Sequence, residues 1–63
     1  MFHSYKVIYE IIEKKDSKPF YRTSCFSTQN KRLAMQIAID ILTDYIIDMG
    51  FYTGSVSKIK EIK

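Results

Sequence analysis

Few side chains of this sequence could carry out covalent chemistry. The chain has one cysteine, Cys25, and one histidine, His3. A zinc site built from His and Cys ligands needs more of them, so we expect neither a metal nor another cofactor. Gly50 and Gly54 alone cannot form a glycine-rich phosphate loop, and a cysteine in a strand is more often a small packed side chain than a nucleophile. The residues therefore predict a protein that is not an enzyme.

Three aspartates, Asp40, Asp44 and Asp48, recur at every fourth residue. This spacing lines them along one face of a helix, where neighbouring carboxylates repel each other. Side chains that project from one straight helix cannot converge on a single ion, so the stripe predicts no metal site. It could contact a basic partner or mimic phosphates, but a solvated helix face is the interpretation that we favour.

Basic residues are concentrated outside this acidic segment. Residues 1–32 hold seven lysines and arginines against three acidic residues, and residues 51–63 hold three lysines against one glutamate. Such a distribution creates a basic surface that the phosphates of a nucleic acid could bind. The candidate nucleic-acid contacts are Lys6, Lys14, Arg22, Lys58 and Lys60.

Two strands joined by a hairpin are expected to carry most of these basic residues. Residues 4–14 alternate with period two and are rich in β-branched and aromatic side chains, which favours a strand. Residues 15–19 are polar and include a proline, as is typical of a loop. Residues 20–26 then form the second strand.

The length of the hairpin loop determines which side chains share a face. A five-residue loop pairs Lys14 with Phe20 and Ile12 with Arg22, whereas a four-residue loop places Arg22 opposite Ile11 on the buried face. Because a buried arginine without a partner charge is costly, we predict the five-residue loop.

A helix is predicted from about Gln29 to Met49, with a hydroxyl cap at Ser27 and Thr28 and a left-handed stop at Gly50. Its apolar face is expected to pack on the sheet. The members of that face are Ala34, Met35, Ala38, Ile39, Ile41, Leu42, Tyr45, Ile46 and Met49. A second apolar fringe lies beside the aspartates and consists of Leu33, Ile37 and Ile47.

The last segment, residues 55–63, is expected to form a third strand with a bulge, and a terminal helical turn is the alternative. The fold class is then α+β, in one domain that covers residues 1–63. We predict a three-stranded antiparallel β-β-α-β sheet of order 2-1-3, with one long helix packed on one face.

A single helix covers only one face of such a sheet. In the predicted register the open face carries a partner-binding surface. Its members are Ile8, Ile12, Phe20, Arg22 and Phe26. An apolar patch of this size approaches the limit for a monomer, so we expect a homodimer, a protein partner or stacked bases on this face. The alternative is that the ends of the chain, with Phe2, fold over it.

These observations predict a small non-enzymatic interaction module that self-associates and binds a protein partner, such as a regulator or inhibitor of the phage or mobile-element type. The alternative is a nucleic-acid-binding module that uses the basic, aromatic-bearing open face. We expect a cytoplasmic protein, because the single cysteine fits a reducing compartment. We expect no membrane association, because the aspartates interrupt the longest apolar stretch and the N-terminus lacks the pattern of a signal peptide.

Overall fold

The computed structural model describes all 63 residues and contains three strands and one helix. The elements are β1 (His3–Ile12), β2 (Phe20–Thr28), α1 (Lys31–Met49) and β3 (Thr53–Ile62). The strands form one antiparallel sheet in the order β2-β1-β3, and α1 packs on one face of it. The predicted α+β fold, with its β-β-α-β order and strand order 2-1-3, is therefore confirmed.

The central strand β1 supplies most of the hydrophobic core. Its alternate side chains Tyr5, Val7, Tyr9 and Ile11 are all buried. Because successive side chains of a strand point to opposite faces of the sheet, these four lie together on the face that α1 covers. The period-two pattern of the sequence is thus the pattern of burial in the structure.

The pairing of β1 with β2 differs from the predicted register. Phe20 lies opposite Ile11, and Arg22 lies opposite Tyr9. The predicted pairs of Lys14 with Phe20 and of Ile12 with Arg22 are therefore wrong. The connection between the two strands spans residues 13–19 and is longer than the five-residue loop that we expected.

The observed register partly buries aromatic side chains that the predicted one would place on the open side of the sheet. Phe20 and Phe26 face α1 and pack against the core. Arg22 lies on the same face but remains exposed, with its guanidinium carbon 5.0 Å from the centre of the Phe20 ring. Because β2 is an edge strand, a long side chain on it can reach solvent. The expected cost of burying Arg22 therefore does not arise.

The helix α1 begins two residues later than predicted, at Lys31. Its N-cap is Asn30, whose side-chain oxygen accepts a hydrogen bond of 2.9 Å from the backbone N–H of Leu33. Ser27 and Thr28, the predicted caps, belong to β2, and Thr28 is buried. Gly50 ends the helix as predicted, with a φ of 69° in the left-handed region.

Only a narrow stripe of α1 contacts the sheet. Ala34, Ala38 and Leu42 are buried, and the two alanines allow a close approach to β1. Ile39, Ile41 and Met49 were predicted to pack on the sheet, but 50%, 40% and 56% of their surfaces are exposed. The prediction that these three side chains pack on the sheet was wrong, because a three-stranded sheet is too narrow to cover so wide a face of the helix.

The third strand pairs with β1 and contains the expected bulge. The register shifts between Ile8 and Tyr9 of β1, which leaves Ser57 of β3 without a partner. Near the start of β3, Gly54 lies opposite Ile11, beneath the last turns of α1. A Cβ atom at this position would lie 2.8 Å from Cδ1 of Ile46 and 3.1 Å from the backbone oxygen of Glu10. A side chain here would therefore require the helix side chains or the strand to shift, whereas glycine fits without change.

Candidate functional site

The face of the sheet that α1 leaves uncovered is polar and basic. Its members on β1 are Ser4, Lys6, Ile8, Glu10 and Ile12; on β2 they are Tyr21, Thr23, Cys25 and Ser27; on β3 they are Thr53, Ser55, Lys58, Lys60 and Ile62. Ile8 and Ile12 are half-buried within it. Throughout this article, this surface is called the open face.

The predicted partner-binding surface is not assembled on the open face. Ile8 and Ile12 lie there, but Phe20, Arg22 and Phe26 lie on the opposite face, toward α1. The register explains the difference, because it is shifted by three residues from the predicted one, and any odd shift moves every side chain of a strand to the other face. The apolar patch expected from the sequence is therefore absent. Phe2 does not cover the open face either, since 70% of its surface is exposed.

Three of the five candidate nucleic-acid contacts do come together on the open face. Lys6 of β1 lies opposite Lys60 of β3, and Lys58 lies opposite Ile8. The three lysines and Ile8 line a depression with a volume of about 200 Å³. We call these three residues the lysine cluster. Of the other two candidates, Lys14 lies in the hairpin loop and Arg22 on the helix-facing side.

No carboxylate forms an ion pair with the lysine cluster. Glu10, which shares the open face, accepts a hydrogen bond of 3.1 Å from the hydroxyl of Tyr21. Glu61 lies on the other face, where its Oε2 is 3.1 Å from Nδ1 of His3, within hydrogen-bond distance. Because like charges opposite each other destabilise a sheet, an anion that enters the depression would relieve their repulsion.

Two tyrosines report on the local environment of these glutamates. The hydrogen bond to Glu10, reinforced by its negative charge, raises the pKa of Tyr21 above the usual tyrosine value. Burial, with a smaller contribution from the charge of Glu61, raises the pKa of Tyr5. Both tyrosines are therefore neutral at physiological pH, and each glutamate is engaged on its own side of the sheet.

A second concave surface lies between α1 and β2, and the sequence did not predict it. This groove has a volume of about 250 Å³. Its lining residues are Tyr9, Arg22, Thr23, Ser24, Ile41, Leu42 and Tyr45. A hydrogen bond of 2.6 Å joins the hydroxyls of Tyr9 and Ser24 at its floor. The remaining surface is mainly aliphatic and aromatic.

The groove exists because α1 does not lie centrally over the sheet. The contact of Ile46 and Leu42 with Gly54 holds the helix toward β3, which leaves β2 partly uncovered. At one end of the helix the Phe51 ring packs edge-on against Phe20 and Tyr45, with centroid distances of 5.5 Å to each. Gly54 lies in the observed strand but precedes the predicted one, residues 55–63, so the sequence reasoning missed the signal that a glycine within a strand gives for such a close contact.

The aspartate stripe occupies a different part of the surface. Asp40, Asp44 and Asp48 all lie on α1 and are exposed, and none of them is ion-paired. They therefore contribute neither to the open face nor to the core. Cys25 is also exposed, on the open face of β2, so the prediction of a buried cysteine was wrong.

Comparison with known proteins gives no relative for this chain: no family model, no curated protein and no solved structure matches it. The helix α1 does not combine the length and the apolar composition that a membrane-crossing helix needs.

Proposed function

We infer that the protein is a non-enzymatic nucleic-acid-binding module, in which Lys6, Lys58 and Lys60 contact the phosphate backbone. The supporting observation is the lysine cluster itself: three lysines without ion pairs around one depression, on a face that no other element covers. Phosphate oxygens are strong acceptors for ammonium groups, and their binding releases counterions. This contact would not distinguish one base sequence from another.

The open face suits a nucleic acid better than an apolar protein surface. The aromatic side chains that would have anchored a protein, Phe20 and Phe26, are turned toward α1. The aromatic side chain that the open face does present is Tyr21, with 53% of its surface exposed. Tyr21 lies on the same face as the lysine cluster but at a distance from it, opposite Glu10. Exposed rings and basic residues on one face are the combination with which sheets hold single-stranded nucleic acids.

Fluorescence anisotropy with a labelled single-stranded oligonucleotide of mixed sequence tests this function. The logarithm of the affinity should fall with the logarithm of the salt concentration, with a slope of about −0.7 per phosphate and hence about −2 for three contacts. The variant Lys6→Gln/Lys58→Gln/Lys60→Gln should lose this slope and bind at least about tenfold more weakly at about 50 mM salt.

The hairpin loop offers a matched control. The variant Lys14→Gln/Lys15→Gln/Lys18→Gln removes the same charge from a region outside the open face. It should keep most of the affinity and of the salt dependence. An equal loss in both triple variants would mean that only the net charge matters, and absence of binding by the native protein at low salt would refute the function.

Protein binding is the second candidate, and the groove between α1 and β2 favours it. Ile41, which is 40% exposed, borders the groove together with Tyr45, so an apolar side chain of a partner could insert there. Ile41→Asp should then abolish capture of that partner without altering oligonucleotide binding. A role as a regulator of the phage type and a cytoplasmic location are further proposals, which rest on the size of the chain and its single cysteine.

A further inference from the structure

We propose that two copies of this chain pair through β2, edge to edge and antiparallel, to form one continuous six-stranded sheet. This proposal is independent of nucleic-acid binding, because it concerns a different strand and a different group of residues. It rests on the contrast between the two edges of the sheet, which are β2 and β3.

The β2 edge carries almost none of the features that prevent strands from pairing. It extends from Phe20 to Thr28, and Arg22 is its only charged residue. It contains no proline, and its register with β1 is continuous, without a bulge. Monomeric proteins usually protect an edge of this length with lysines, prolines, bulges or a covering segment.

The β3 edge carries two of these protections. The register shift at Ser57 interrupts its ladder, and a bulged edge is a poor template for another strand. Lys58 and Lys60 would also approach the same lysines of a second copy, and like charges across a strand pair are unfavourable. Pairing of two copies is therefore directed to β2.

The charges of β2 are compatible with a symmetric pair. With the two-fold axis at Ser24, the middle residue of the strand, the whole length of β2 overlaps with that of the partner. Arg22 then lies opposite Phe26 of the partner subunit, and Thr23 lies opposite Cys25 of the partner subunit. No like charges oppose each other, and Arg22 keeps an aromatic neighbour on both strands.

The position of α1 leaves room for this pairing. Because the helix lies toward β3, the groove and not the helix borders the β2 edge. In the continuous sheet both helices cover one face, and both lysine clusters lie on the other. Four strand spacings separate the centres of the clusters, which is about 19 Å along the sheet. One nucleic-acid strand could then contact both.

Analytical ultracentrifugation without nucleic acid, over about a hundredfold range of protein concentration, tests the proposal. The native chain should sediment as a dimer at the upper concentrations. The variant Thr23→Lys/Cys25→Lys introduces lysines that oppose those of the other copy and should raise the dimer dissociation constant by at least about tenfold. The matched control on the other edge, Ser55→Lys/Ser57→Lys, should leave it unchanged.

A covalent measurement keeps the proposal testable if a lysine variant unfolds. Thr23→Cys should form a disulfide with Cys25 of the partner subunit on mild oxidation, because directly opposed residues of an antiparallel pair have Cα atoms about 4.5–5.5 Å apart, within the range of a disulfide. Ser55→Cys should cross-link no faster than the native chain. Three results would overturn the proposal. The chain could sediment as a monomer at every concentration, only the β3 variants could disrupt the dimer, or Cys25 could cross-link to other proteins and not to a second copy. Intact oligonucleotide binding by such a monomer would leave the proposed function standing.

Discussion

The single helix packs closely against one edge strand of this small sheet, β3, and leaves the other edge strand, β2, partly uncovered. On the β3 side, Gly54 admits the side chains of Ile46 and Leu42, and helix and strand are in contact. On the β2 side a groove of about 250 Å³ separates Ile41 from Ser24 and Arg22. The β3 side also has the bulge and two lysines, whereas Arg22 is the only charged residue on the β2 edge.

This difference shows which strands of a sheet a single helix covers and which it leaves exposed. A single helix cannot cover three strands equally, so it packs well on some of them and leaves another for solvent or a partner. Gly54 favours the closed β3 side, because a Cβ atom there would require Ile46, Leu42 and the Glu10 carbonyl to give way. The β2 side thereby becomes the place where a second molecule gains most from binding.

The largest expected effect comes from closing the space at Gly54. Gly54→Val should destabilise the protein by about 3 kcal/mol, because overpacking a contact forces neighbouring groups apart. The methyl ends of Ile46 and Leu42 would have to move, and the Glu10 carbonyl is fixed in the sheet. Urea denaturation measures the change.

The adjacent exposed residue on β3 supplies the control for this substitution. Ser55→Val should change the free energy of unfolding by less than about 0.5 kcal/mol. A Gly54→Val variant as stable as the native protein would show that the helix does not depend on this contact, and the comparison between the two sides would fail.

A smaller effect is expected from shortening the helix side chains on either side. Ile46, which packs near Gly54, should cost about 2 kcal/mol when replaced by alanine. Ile41 borders the groove and is 40% exposed, so Ile41→Ala should cost less than about 1 kcal/mol. Equal losses at the two positions would mean that α1 packs on both sides alike.

The double variant Gly54→Val/Ile46→Ala sharpens this result. Removing the Ile46 branch makes room for the valine, so the double variant should be more stable than the sum of the single changes implies, by about 1 kcal/mol. Additive losses would place the strain at the Glu10 carbonyl rather than at the helix.

Local signals in the sequence predicted most of the fold. The alternation in β1, the left-handed stop at Gly50 and the irregular pattern of residues 55–63 each depend on nearby residues, and all three were predicted correctly. The strand order follows from these elements, because a central β1 is the arrangement that buries its apolar face under the helix.

The parts that were predicted wrongly depend on long-range packing. The hairpin register is decided by the burial of Phe20 and Phe26 under α1, which no local pattern encodes. The same error displaced Arg22 to the wrong face of the predicted site. Lys6, Lys58 and Lys60 are nevertheless together on the open face, because their position depends on the β1–β3 pairing and not on the hairpin.

The smallest expected effect concerns the free energy of unfolding at alkaline pH, to which Tyr5 and Tyr21 contribute. Tyr5 of β1 lies opposite Glu61 of β3, and Tyr21 of β2 lies opposite Glu10 of β1. The folded protein raises the pKa of both hydroxyls, that of Tyr5 mainly by burial and that of Tyr21 mainly by the hydrogen bond to Glu10. As the pH rises past the usual tyrosine pKa of about 10, the unfolded chain releases these protons first.

Below that pH these tyrosines should therefore not change the free energy of unfolding as the pH varies. Above it, the free energy of unfolding should fall as the pH rises. Tyr5 is 3% exposed and Tyr21 is 53% exposed, so solvent screens the second group far more. Tyr5→Phe should accordingly flatten the alkaline decline more than Tyr21→Phe does, in urea titrations between about pH 9 and about pH 11. A stronger flattening by Tyr21→Phe would mean that the Glu10 hydrogen bond on the exposed β2 side outweighs burial beside β3.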